Sequence, residues 1–525
     1  MLRRLDKKRL EQPAFDKPEA DMTAQRGVLA AFELSWQELE DSDKQLGCLL
    51  SLFAAAPISW KLVEQCLPEE DEEDLEEIRD DSLLNLHLLQ RKGEGIYQLH
   101  PLLREFFQYK LTDLDKGEEL KRSLCRVMVA VAKDIPEFPT LKQINNVTPT
   151  IPHLAEVAKN LLQYVNDEDL IWAFIGNAQC YQDQGLYNQA VSWYEQSLTV
   201  TKKRLGESDV SVAQSLNNLA ELYYLQGRYS EAEPLLLQAL ELRRHLLGKE
   251  HLDVALSLSN LAQLYNSQGR YGEAEPLHLQ ALELKRSLLG ESHISVAHSL
   301  NNLAGLYNYQ GRYSEAEPLY LQALELKRCL LGESHPDFAH SLHNLALLYY
   351  LQRRYSEAES LNLQVLELRR RLLGEEHPDF AYSLNTLAAL YCDQGRYSEA
   401  EPLNLQALEL RRRLLGEEHP DVAVSLNNLA KLYNCQGRYS EAEPLHLQVL
   451  ELRRCLLGEE HPHVAVSLNN LAALYRDQGR YSEAEPLYLQ ALDIFERRLG
   501  VNHPNTVTVR GGLANLRDRL PPNPE

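Results

Sequence analysis

The sequence predicts an all-α protein, a solenoid of stacked helical hairpins, preceded by a small module that mixes helices and strands. Three observations support this prediction. Glycine recurs every 42 residues at two positions, each repeat contains two apolar stripes with helical spacing, and the period is absent from about the first 165 residues. A fixed period of this length is typical of solenoids, in which each unit buries its apolar faces against its neighbours.

Two glycine ladders define the repeat. The first, in the string Gln-Gly-Arg-Tyr and its near-copies, comprises Gly185, Gly227, Gly269, Gly311, Gly395, Gly437 and Gly479. The second, which ends Leu-Gly pairs, comprises Gly206, Gly248, Gly290, Gly332, Gly374, Gly416, Gly458 and Gly500. Arg353 fills the only position of the first ladder that lacks glycine. Because the residue that ends a helix there is expected in the left-handed conformation, arginine should cost roughly 1 kcal/mol relative to glycine.

Two apolar stripes predict two helices in each repeat. In the unit from Gln214 to Gly248, the first stripe has the spacing i, i+3, i+4, i+7 and ends before Gly227. Its members are Leu216, Leu219, Ala220 and Tyr223. The second stripe consists of Leu235, Ala239 and Leu242. Neither helix can bury its stripe alone, so we expect stability to come from the stacking of neighbouring repeats.

Polar residues and prolines mark the expected helix starts. Ser230 and Glu233 have the spacing of a capping box, in which each side chain accepts from the backbone amide of the other residue. Pro234 is expected at the fourth helical position, where it removes at most the first backbone hydrogen bond. In the His-Pro-Asp loop, which His419 begins in a later copy, the proline and a capping aspartate are expected to start the next helix.

These residues resemble the tetratricopeptide repeat. Its pattern of small residues is matched by Leu219, Ala220, Tyr223, Gly227, Tyr229, Ala232 and Ala239. The longer unit, with the strings Leu-Asn-Asn-Leu-Ala and Tyr-Ser-Glu-Ala-Glu-Pro, is similar to the kinesin light chain subclass. The resemblance covers roughly residues 167–510, or about eight units. It implies a right-handed superhelix whose first helices line a concave groove for a peptide or a segment of a partner protein.

The face of each first helix opposite its apolar stripe is expected to line this groove. Asn218 recurs in nearly every repeat while the other positions vary, which suits a groove that pairs with a peptide backbone generally and reads side chains locally. The alternative is that the asparagines bond to the neighbouring hairpin and hold the stack together; both roles can coexist. The predicted groove residues are Gln214, Asn217, Asn218, Glu221, Asn260, Gln263, His298, Asn301, Asn302, His340, Asn344, Tyr382, Asn385, Asn427, Asn428, Lys431, Asn469, Asn470 and Arg476.

The repeated histidines and the eight cysteines do not predict a metal or redox site. One histidine occurs per repeat, from His251 to His503, so neighbours should lie about one helix width, roughly 10 Å, apart and cannot share an ion. No two cysteines form a Cys-x-x-Cys pair, and buried or idle thiols in a reducing cytoplasm are expected. No cofactor is predicted.

The region before the array combines helical patterns with a hairpin signal. Helices are expected at 28–39, 43–55, 62–66 and 75–89, a hairpin around Gly93 and Gly95, and a further helix from Pro101. This order is that of a winged helix. Residues 28–110 contain 7 Lys and Arg against 18 Asp and Glu, which disfavours binding to DNA.

This region resembles the winged-helix part of signal-transduction ATPases of the NB-ARC group. Leu99 and His100 stand where that family has an apolar residue and a histidine that contacts the phosphate of the nucleotide, whereas Pro101 replaces an aspartate. The resemblance implies a vestigial nucleotide contact at His100; the alternative is a histidine packed at a strand end. The sequence contains no Gly-x-x-x-x-Gly-Lys-Ser/Thr loop, so ATP hydrolysis is not expected.

The predicted organisation has five parts. They are a remnant helical segment at 1–27, a winged-helix-like module at 28–111, a helical linker at 112–166, the repeat array at 167–510, and a C-terminal cap and tail at 511–525.

The composition restricts the classes of function. A formal charge of −23 disfavours nucleic acids and anionic membranes, and no run of about 18 apolar residues or signal peptide is present. The sequence therefore predicts a non-enzymatic, cytoplasmic scaffold for protein interactions, with basic partners favoured and binding weakened by salt. The alternative is the sensor half of an NB-ARC-type signalling NTPase whose phosphate-binding piece lies on another chain.

Overall fold

The computed structural model describes residues 32–135, 141–184 and 186–519. Its contacts divide the chain into two compact units, Met1–Asp134 with Pro149–Gly176, and Ile135–Thr148 with Asn177–Glu525. The predicted segment at 1–27, the start of the predicted helix at 28–39, Gly185 and the tail beyond residue 519 lie outside the described residues.

The first unit contains a three-stranded antiparallel sheet and several helices. The strands are β1 (Ile58–Ser59), β2 (Leu89–Gly93) and β3 (Ile96–Leu99), in the order β1–β3–β2. The helices are α1 (Asp41–Leu52), α2 (Trp60–Cys66), α3 (Glu72–Glu77), α4 (Pro101–Leu111), α5 (Gly117–Lys133) and α7 (Ile151–Glu156), whereas α6 (Leu141–Val147) belongs to the second unit. Residues 32–38 are also helical.

The predicted hairpin is confirmed, since β2 pairs with β3 and Leu89 lies opposite Leu99. The predicted helix at 75–89 was too long. It changes to a π-helix at Ile78–Leu84, and the chain then turns at His87, whose φ is 56°, before β2 begins. Strand β1 was not predicted, because two residues are too few to show an alternating pattern. The assignment of this unit as a winged helix stays a prediction.

The second unit is an array of helical hairpins, as the period predicted. We call the first helix of each repeat A and the second B. The A helices of repeats 1–8 are Trp172–Asp183, Val210–Leu225, Leu252–Ser267, Ile294–Tyr309, Pro336–Leu351, Pro378–Asp393, Pro420–Cys435 and Pro462–Asp477. The B helices are Tyr187–Leu205, Tyr229–Leu247, Tyr271–Leu289, Tyr313–Leu331, Tyr355–Leu373, Tyr397–Leu415, Tyr439–Leu457 and Tyr481–Leu499, and a last helix, Pro504–Arg517, follows.

The turn between the A and B helices has the backbone that its glycine predicted. Gly227 has a φ of 66°, and the amides of Gly227 and Arg228 donate to the carbonyls of Tyr224 and Tyr223 at 2.9 and 2.8 Å. These bonds satisfy carbonyls that the end of the helix leaves free. Arg353 adopts the same conformation with a φ of 60°, which confirms the expected left-handed position.

The B helices do not start as predicted. The B helix of repeat 2 begins at Tyr229, Ser230 is its second residue, and its N-cap residue Arg228 makes no side-chain cap bond. The capping box was therefore wrong, and Glu233 instead accepts from Tyr265 of the next repeat at 3.0 Å. Pro234 consequently lies inside the helix, at its sixth position rather than its fourth. It removes one backbone donor there, a cost that the stacking of the repeats offsets.

From repeat 3 onward the A helices are capped by histidine rather than by the predicted aspartate, whereas Asp209 caps the A helix of repeat 2. In repeat 7, His419 is the N-cap, Pro420 is the first helical residue, and Nδ1 of His419 accepts from the backbone amide of Asp421 at 3.1 Å. The same bond occurs from His251 to His503 in every copy of the motif. The repeated histidines therefore have a structural role, because each satisfies a free amide at a helix start.

A recurring cluster joins each repeat to the next. Arg270 donates to Glu233 of the preceding repeat at 2.8 Å, forks onto Glu273 of its own helix at 2.7 and 2.8 Å, and lies 4.0 Å from the ring centre of Tyr265. Equivalent arginines bond to the preceding repeat at Arg312, Arg354, Arg396, Arg438 and Arg480. The cluster combines a bidentate ion pair with a cation–π contact, so it fixes the spacing of neighbouring repeats.

Repeat 8 contacts repeat 2, which lies six repeats earlier in the array. Nε2 of His461, at the start of repeat 8, lies 3.1 Å from the carbonyl oxygen of Leu225 in repeat 2. The A–B turn there is tight against the later repeat, since a Cβ at Gly227 would lie 2.6 Å from Cδ of Pro462. One repeat further on, a Cβ at Gly269 would lie 2.8 Å from His503. A superhelical turn of the array therefore takes six repeats.

Candidate functional site

The A helices form the inner layer of the array. A helices of neighbouring repeats approach each other to within 8 Å between Cα atoms at several places in the second half of the array, while each B helix packs between two A helices. We call the exposed and half-buried face of the A helices of repeats 2–8 the inner wall, defined by Gln214, Asn217, Asn218, Glu221, Tyr224 and the equivalent positions of the later repeats. The side chains that the sequence predicted as groove residues therefore fall into one continuous row of helices.

These predicted residues differ in exposure. Exposed are Glu221, Gln263, His298, Asn302, His340, Tyr382 and Lys431. Half-buried are Gln214, Asn218, Asn260, Asn344, Asn428, Asn469, Asn470 and Arg476. Buried are Asn217, Asn301, Asn385 and Asn427. The inner wall thus offers a ligand a mixture of amide, imidazole, phenol and charged groups.

Several asparagines pair with each other between repeats. Nδ2 of Asn260 donates to Oδ1 of Asn217 at 2.7 Å, and Asn344 donates to Asn301 at 3.1 Å. Asn470 donates to Asn427 at 2.8 Å in the same way. The bonds to neighbouring hairpins that formed one of the two alternatives are therefore present. Each donating amide also keeps a second N–H, so these asparagines can still bond to a ligand.

The asparagine pairing is interrupted between repeats 5 and 7. Thr386 replaces the donating asparagine and bonds to the carbonyl of Tyr382 in its own helix at 3.0 Å. Asn385 donates to Oγ of Ser425 at 2.6 Å, and its Oδ1 is buried without a hydrogen-bond partner. His343 occupies an accepting asparagine position; its Nε2 lies 3.2 Å from the hydroxyl of Tyr382, and its Nδ1 is buried without a partner. This part of the wall therefore holds two unused polar atoms.

A cavity of about 210 Å³ lies at this interruption. Leu347, Ala389 and Val424 contribute apolar surface, and His343 and Asn385, whose unpaired atoms are buried, also line the cavity. Buried polar groups without partners are costly, by about 1–3 kcal/mol each, and are rare in native proteins. The cavity therefore fits a small, mainly apolar group that carries a hydrogen-bond donor or acceptor.

Burial keeps the imidazole in the cavity uncharged. Together with the charge of the nearby guanidinium of Arg369, it lowers the pKa of His343 to about 3. Burial also raises the pKa of the Tyr382 hydroxyl. At neutral pH the cavity therefore presents neutral hydrogen-bonding groups rather than ions.

A row of buried and half-buried cations, which was not predicted from the sequence, lies behind the inner wall. The row is Arg243, Lys285, Lys327, Arg369, Arg411 and Arg453, one from each B helix of repeats 2–7. Arg411 is typical, since its Nη1 donates to Oγ of Ser425 and to the carbonyl of Asp421 at 2.9 and 3.0 Å. Burial lowers the pKa of the whole row. The sequence feature that could have predicted this row is a lysine or arginine that recurs every 42 residues.

His100 in the first unit is the N-cap of α4. Its Nδ1 accepts from the amide of Leu102 at 3.3 Å, and its side chain is exposed. This bond accounts for a histidine before Pro101 by the same geometry as in the repeats. The predicted vestigial contact of His100 with a nucleotide stays a prediction. Within the described ranges, no group of three or more His, Cys, Asp or Glu could hold a metal ion, and no helix is long and apolar enough to cross a membrane.

Solved structures with similar repeats include BtubC (BKLC) from P. vanneervenii, with 25% identity over 45% of this chain and 92% of that chain and a TM-score of 0.36. A putative kinesin light chain from Podosopora anserina with nearly identical TPR-like repeats shares 30% identity over 39% of this chain and 97% of that chain, with a TM-score of 0.34. A signal transduction ATPase with a tetratricopeptide repeat sensor from Pyrococcus horikoshii shares 18% identity over 81% of this chain and 65% of that chain, with a TM-score of 0.39. No curated protein matches the chain.

The tetratricopeptide repeat family matches the array along its whole length. The matches cover residues 169–245, 211–287, 253–328, 295–371, 337–403, 379–454, 425–497 and 463–520. Together they account for about two thirds of the 525 residues and coincide with the helical hairpins. The chain therefore belongs to the tetratricopeptide repeat family.

Proposed function

We propose that this protein is an interaction scaffold whose inner wall binds an extended segment of a partner protein, centred on the cavity between repeats 5 and 7. The observation that supports this most strongly is the pair of buried, unpaired atoms, Oδ1 of Asn385 and Nδ1 of His343, at an opening in the wall. A ligand that supplies partners for both atoms regains hydrogen bonds that the free protein lacks.

The proposed binding mode uses two kinds of contact. The paired asparagines on either side, such as Asn344 and Asn470, keep amide hydrogens that can bond to the ligand's backbone without regard to its sequence. The cavity itself selects one side chain, because apolar surface from Leu347, Ala389 and Val424 lies there beside His343 and Asn385. Segments bound in this way usually have micromolar dissociation constants, about −8 kcal/mol.

We also propose that the partner is basic, because the loops before the A helices carry exposed acidic residues. Glu375, Glu376, Glu417 and Glu418 are exposed there, and the chain as a whole carries a charge of −23. Basic residues outside the segment that enters the cavity would be attracted to these loops, and the attraction would weaken with salt.

The direct test is selection of binders from a random peptide library on the full chain, followed by measurement of affinity. Ala389→Trp fills the cavity, and we expect it to weaken the selected peptide about tenfold or more, since each factor of ten is about 1.4 kcal/mol. Ala473→Trp is the matched control, because Ala473 occupies the equivalent half-buried position in repeat 8. Equal affinity of both variants and the wild type would contradict a site at the cavity.

The alternative role as the sensor of an NB-ARC-type NTPase is a separate proposal. It predicts that the full chain binds ATP or ADP and that His100→Ala removes the binding. Titration with a fluorescent nucleotide measures this, and a chain that does not bind nucleotide in either form would exclude the contact at His100.

A further inference from the structure

Side chains that are 43 residues apart meet across neighbouring A helices. The asparagine pairs show this register, as in Asn260 with Asn217. The register continues at the end of the A helices, where the hydroxyl of Tyr224 lies 2.8 Å from Oγ of Ser267, and Tyr350 bonds to Asp393. Because each repeat has the same length, the same two positions on the last turns of neighbouring A helices recur along the array.

Cys392 and Cys435 occupy this register in repeats 6 and 7. Cys392 is half-buried and Cys435 is exposed on the last turns of their A helices. Their positions are equivalent to those of Tyr350 and Asp393, and each of the two thiols has the largest effect on the pKa of the other. Idle thiols were expected because the sequence contains no Cys-x-x-Cys pair, but these two cysteines are separated by the length of one repeat plus one residue.

The surroundings of Cys435 favour its thiolate. The neighbouring thiol of Cys392 and the charge of Lys431 together lower the pKa of Cys435 to about 7, against the opposing effects of burial, Asp393 and Asp477. Cys435 in turn raises the pKa of Cys392, so the pair shares one proton. A thiolate is the nucleophile in thiol oxidation, and an exposed thiolate beside a second thiol is the arrangement of redox-sensitive sites.

The remaining cysteines lack these features. Hydrogen bonding to Glu325 raises the pKa of Cys329, and burial together with Glu451 raises that of Cys455. The buried thiols of Cys48, Cys66, Cys125 and Cys180 have pKa values raised to about 12 by burial. These six cysteines therefore serve as internal controls when the reactivity of Cys392 and Cys435 is measured.

We propose that Cys392 and Cys435 are a redox site, which a hydroperoxide converts to a disulfide between repeats 6 and 7. The thiolate of Cys435 attacks one peroxide oxygen, the O–O bond breaks, and hydroxide leaves and is protonated to water. The sulfur of Cys392 then attacks the resulting sulfenic acid, the S–O bond breaks, the S–S bond forms, and the proton of Cys392 leaves with the oxygen as a second water. Two thiols are oxidised and one hydrogen peroxide is reduced to two waters; a dithiol reverses the reaction.

The two helices that carry these cysteines lie side by side. A disulfide needs Cα atoms about 4.4–6.8 Å apart, and the A helices of repeats 6 and 7 already approach to within 8 Å between Cα atoms. Ala389 and Lys431 lie about one turn before the two cysteines, so the bond would join the two helices beside the cavity. It would fix the spacing of these repeats, and this consequence holds whether or not the cavity binds a partner.

The test treats the reduced full-length protein with a small excess of hydrogen peroxide, blocks the free thiols with N-ethylmaleimide and maps the tryptic peptides. We expect one linked species that joins peptide 372–396 to peptide 432–438, lost on reduction with dithiothreitol. It should be absent from Cys392→Ser and from Cys435→Ser, and retained in the double variant Cys329→Ser with Cys455→Ser. Detection of Cys392 and Cys435 as separate blocked or sulfinic residues, or of their disulfide only between two molecules, would overturn the proposal.

A second measurement does not require the disulfide to form. The rate at which iodoacetamide modifies Cys435 should rise with a midpoint near pH 7, whereas Cys329 and Cys455 should react more slowly at neutral pH. In Cys392→Ala, the midpoint for Cys435 should move to higher pH, because alanine removes the neighbouring thiol that lowers the pKa of Cys435. Equal rates for all three exposed cysteines would contradict the site.

Discussion

Arg353 has the left-handed backbone conformation that glycine adopts at the equivalent position of the other repeats. The sequence predicted a left-handed residue at this position because glycine occupies it in the other repeats, and Arg353 has a φ of 60°. Arg353→Gly should stabilise the protein by about 1 kcal/mol, since only the strain of a side chain at positive φ is removed. Gly395→Arg, the reverse change one repeat later, should destabilise it by a similar amount. Urea denaturation of both variants measures this, and a lower stability of Arg353→Gly would contradict the turn geometry.

The burial of His446 makes the stability of the folded protein depend on pH. The residue is 1% exposed, and burial lowers its pKa to about 4, below the usual 6.5. The unfolded chain therefore binds a proton between these values while the folded chain does not, and stability is lost as the pH falls through this range. Asn404 is the natural control, since asparagine occupies the equivalent position in repeat 6.

We expect His446→Asn to reduce the loss of stability between pH 7 and pH 4.5 by about 2 kcal/mol, because one pKa unit corresponds to about 1.4 kcal/mol. Urea denaturation at both pH values measures the difference. His278 and His343 are buried in the same way, so the wild type should still lose stability at low pH in the variant background. An unchanged slope with pH in His446→Asn would show that this histidine is protonated in the folded state.

At the level of the helices, the hydrophobic periodicity predicted the helices correctly, but the residues expected to cap the helix starts were wrong. The apolar stripes predicted both helices of each repeat, because burial on one face repeats with the turn of the helix. The caps were wrong for a physical reason. Ser230 could form a capping box within its own helix, but Glu233 gains a bond to Tyr265 of the next repeat that local sequence does not show. The two unpaired atoms of the residues that line the cavity could not be predicted from the sequence either, because they result from Thr386 and His343 lying in adjacent helices.

The inter-repeat ion pair of Arg354 should contribute more than the pair within its own helix. Arg354 contacts both oxygens of Glu317 at 3.0 Å, and Glu317 is 28% exposed against 48% for Glu357. Glu317→Gln should therefore lower stability by up to about 1 kcal/mol and Glu357→Gln by less, because exposed pairs contribute little. Thermal unfolding of the two variants compares them directly. A larger loss for Glu357→Gln would contradict the role of the cluster in stacking.

At the scale of the array, the return of repeat 8 to repeat 2 was not predictable from one repeat. The superhelical turn depends on small rotations that accumulate over six repeats, so only the assembled stack shows that Pro462 meets Gly227. Gly227 and Gly437 have φ values of 66° and 72°, and a Cβ would have open space at Gly437 but not at Gly227. Both alanine variants should lose about 1 kcal/mol from backbone strain. Gly227→Ala should lose more in chemical denaturation, and equal losses would mean that the turns of the superhelix do not touch.

The central claim is that the inner wall around repeats 5–7 is the binding surface, and hydrogen exchange of backbone amides with and without a selected peptide tests it most directly. The account predicts that the peptide slows exchange in the A helices Pro336–Leu351, Pro378–Asp393 and Pro420–Cys435, and leaves the exposed faces of the B helices and the first unit unchanged. Protection confined to the B helices or to the first unit would contradict it.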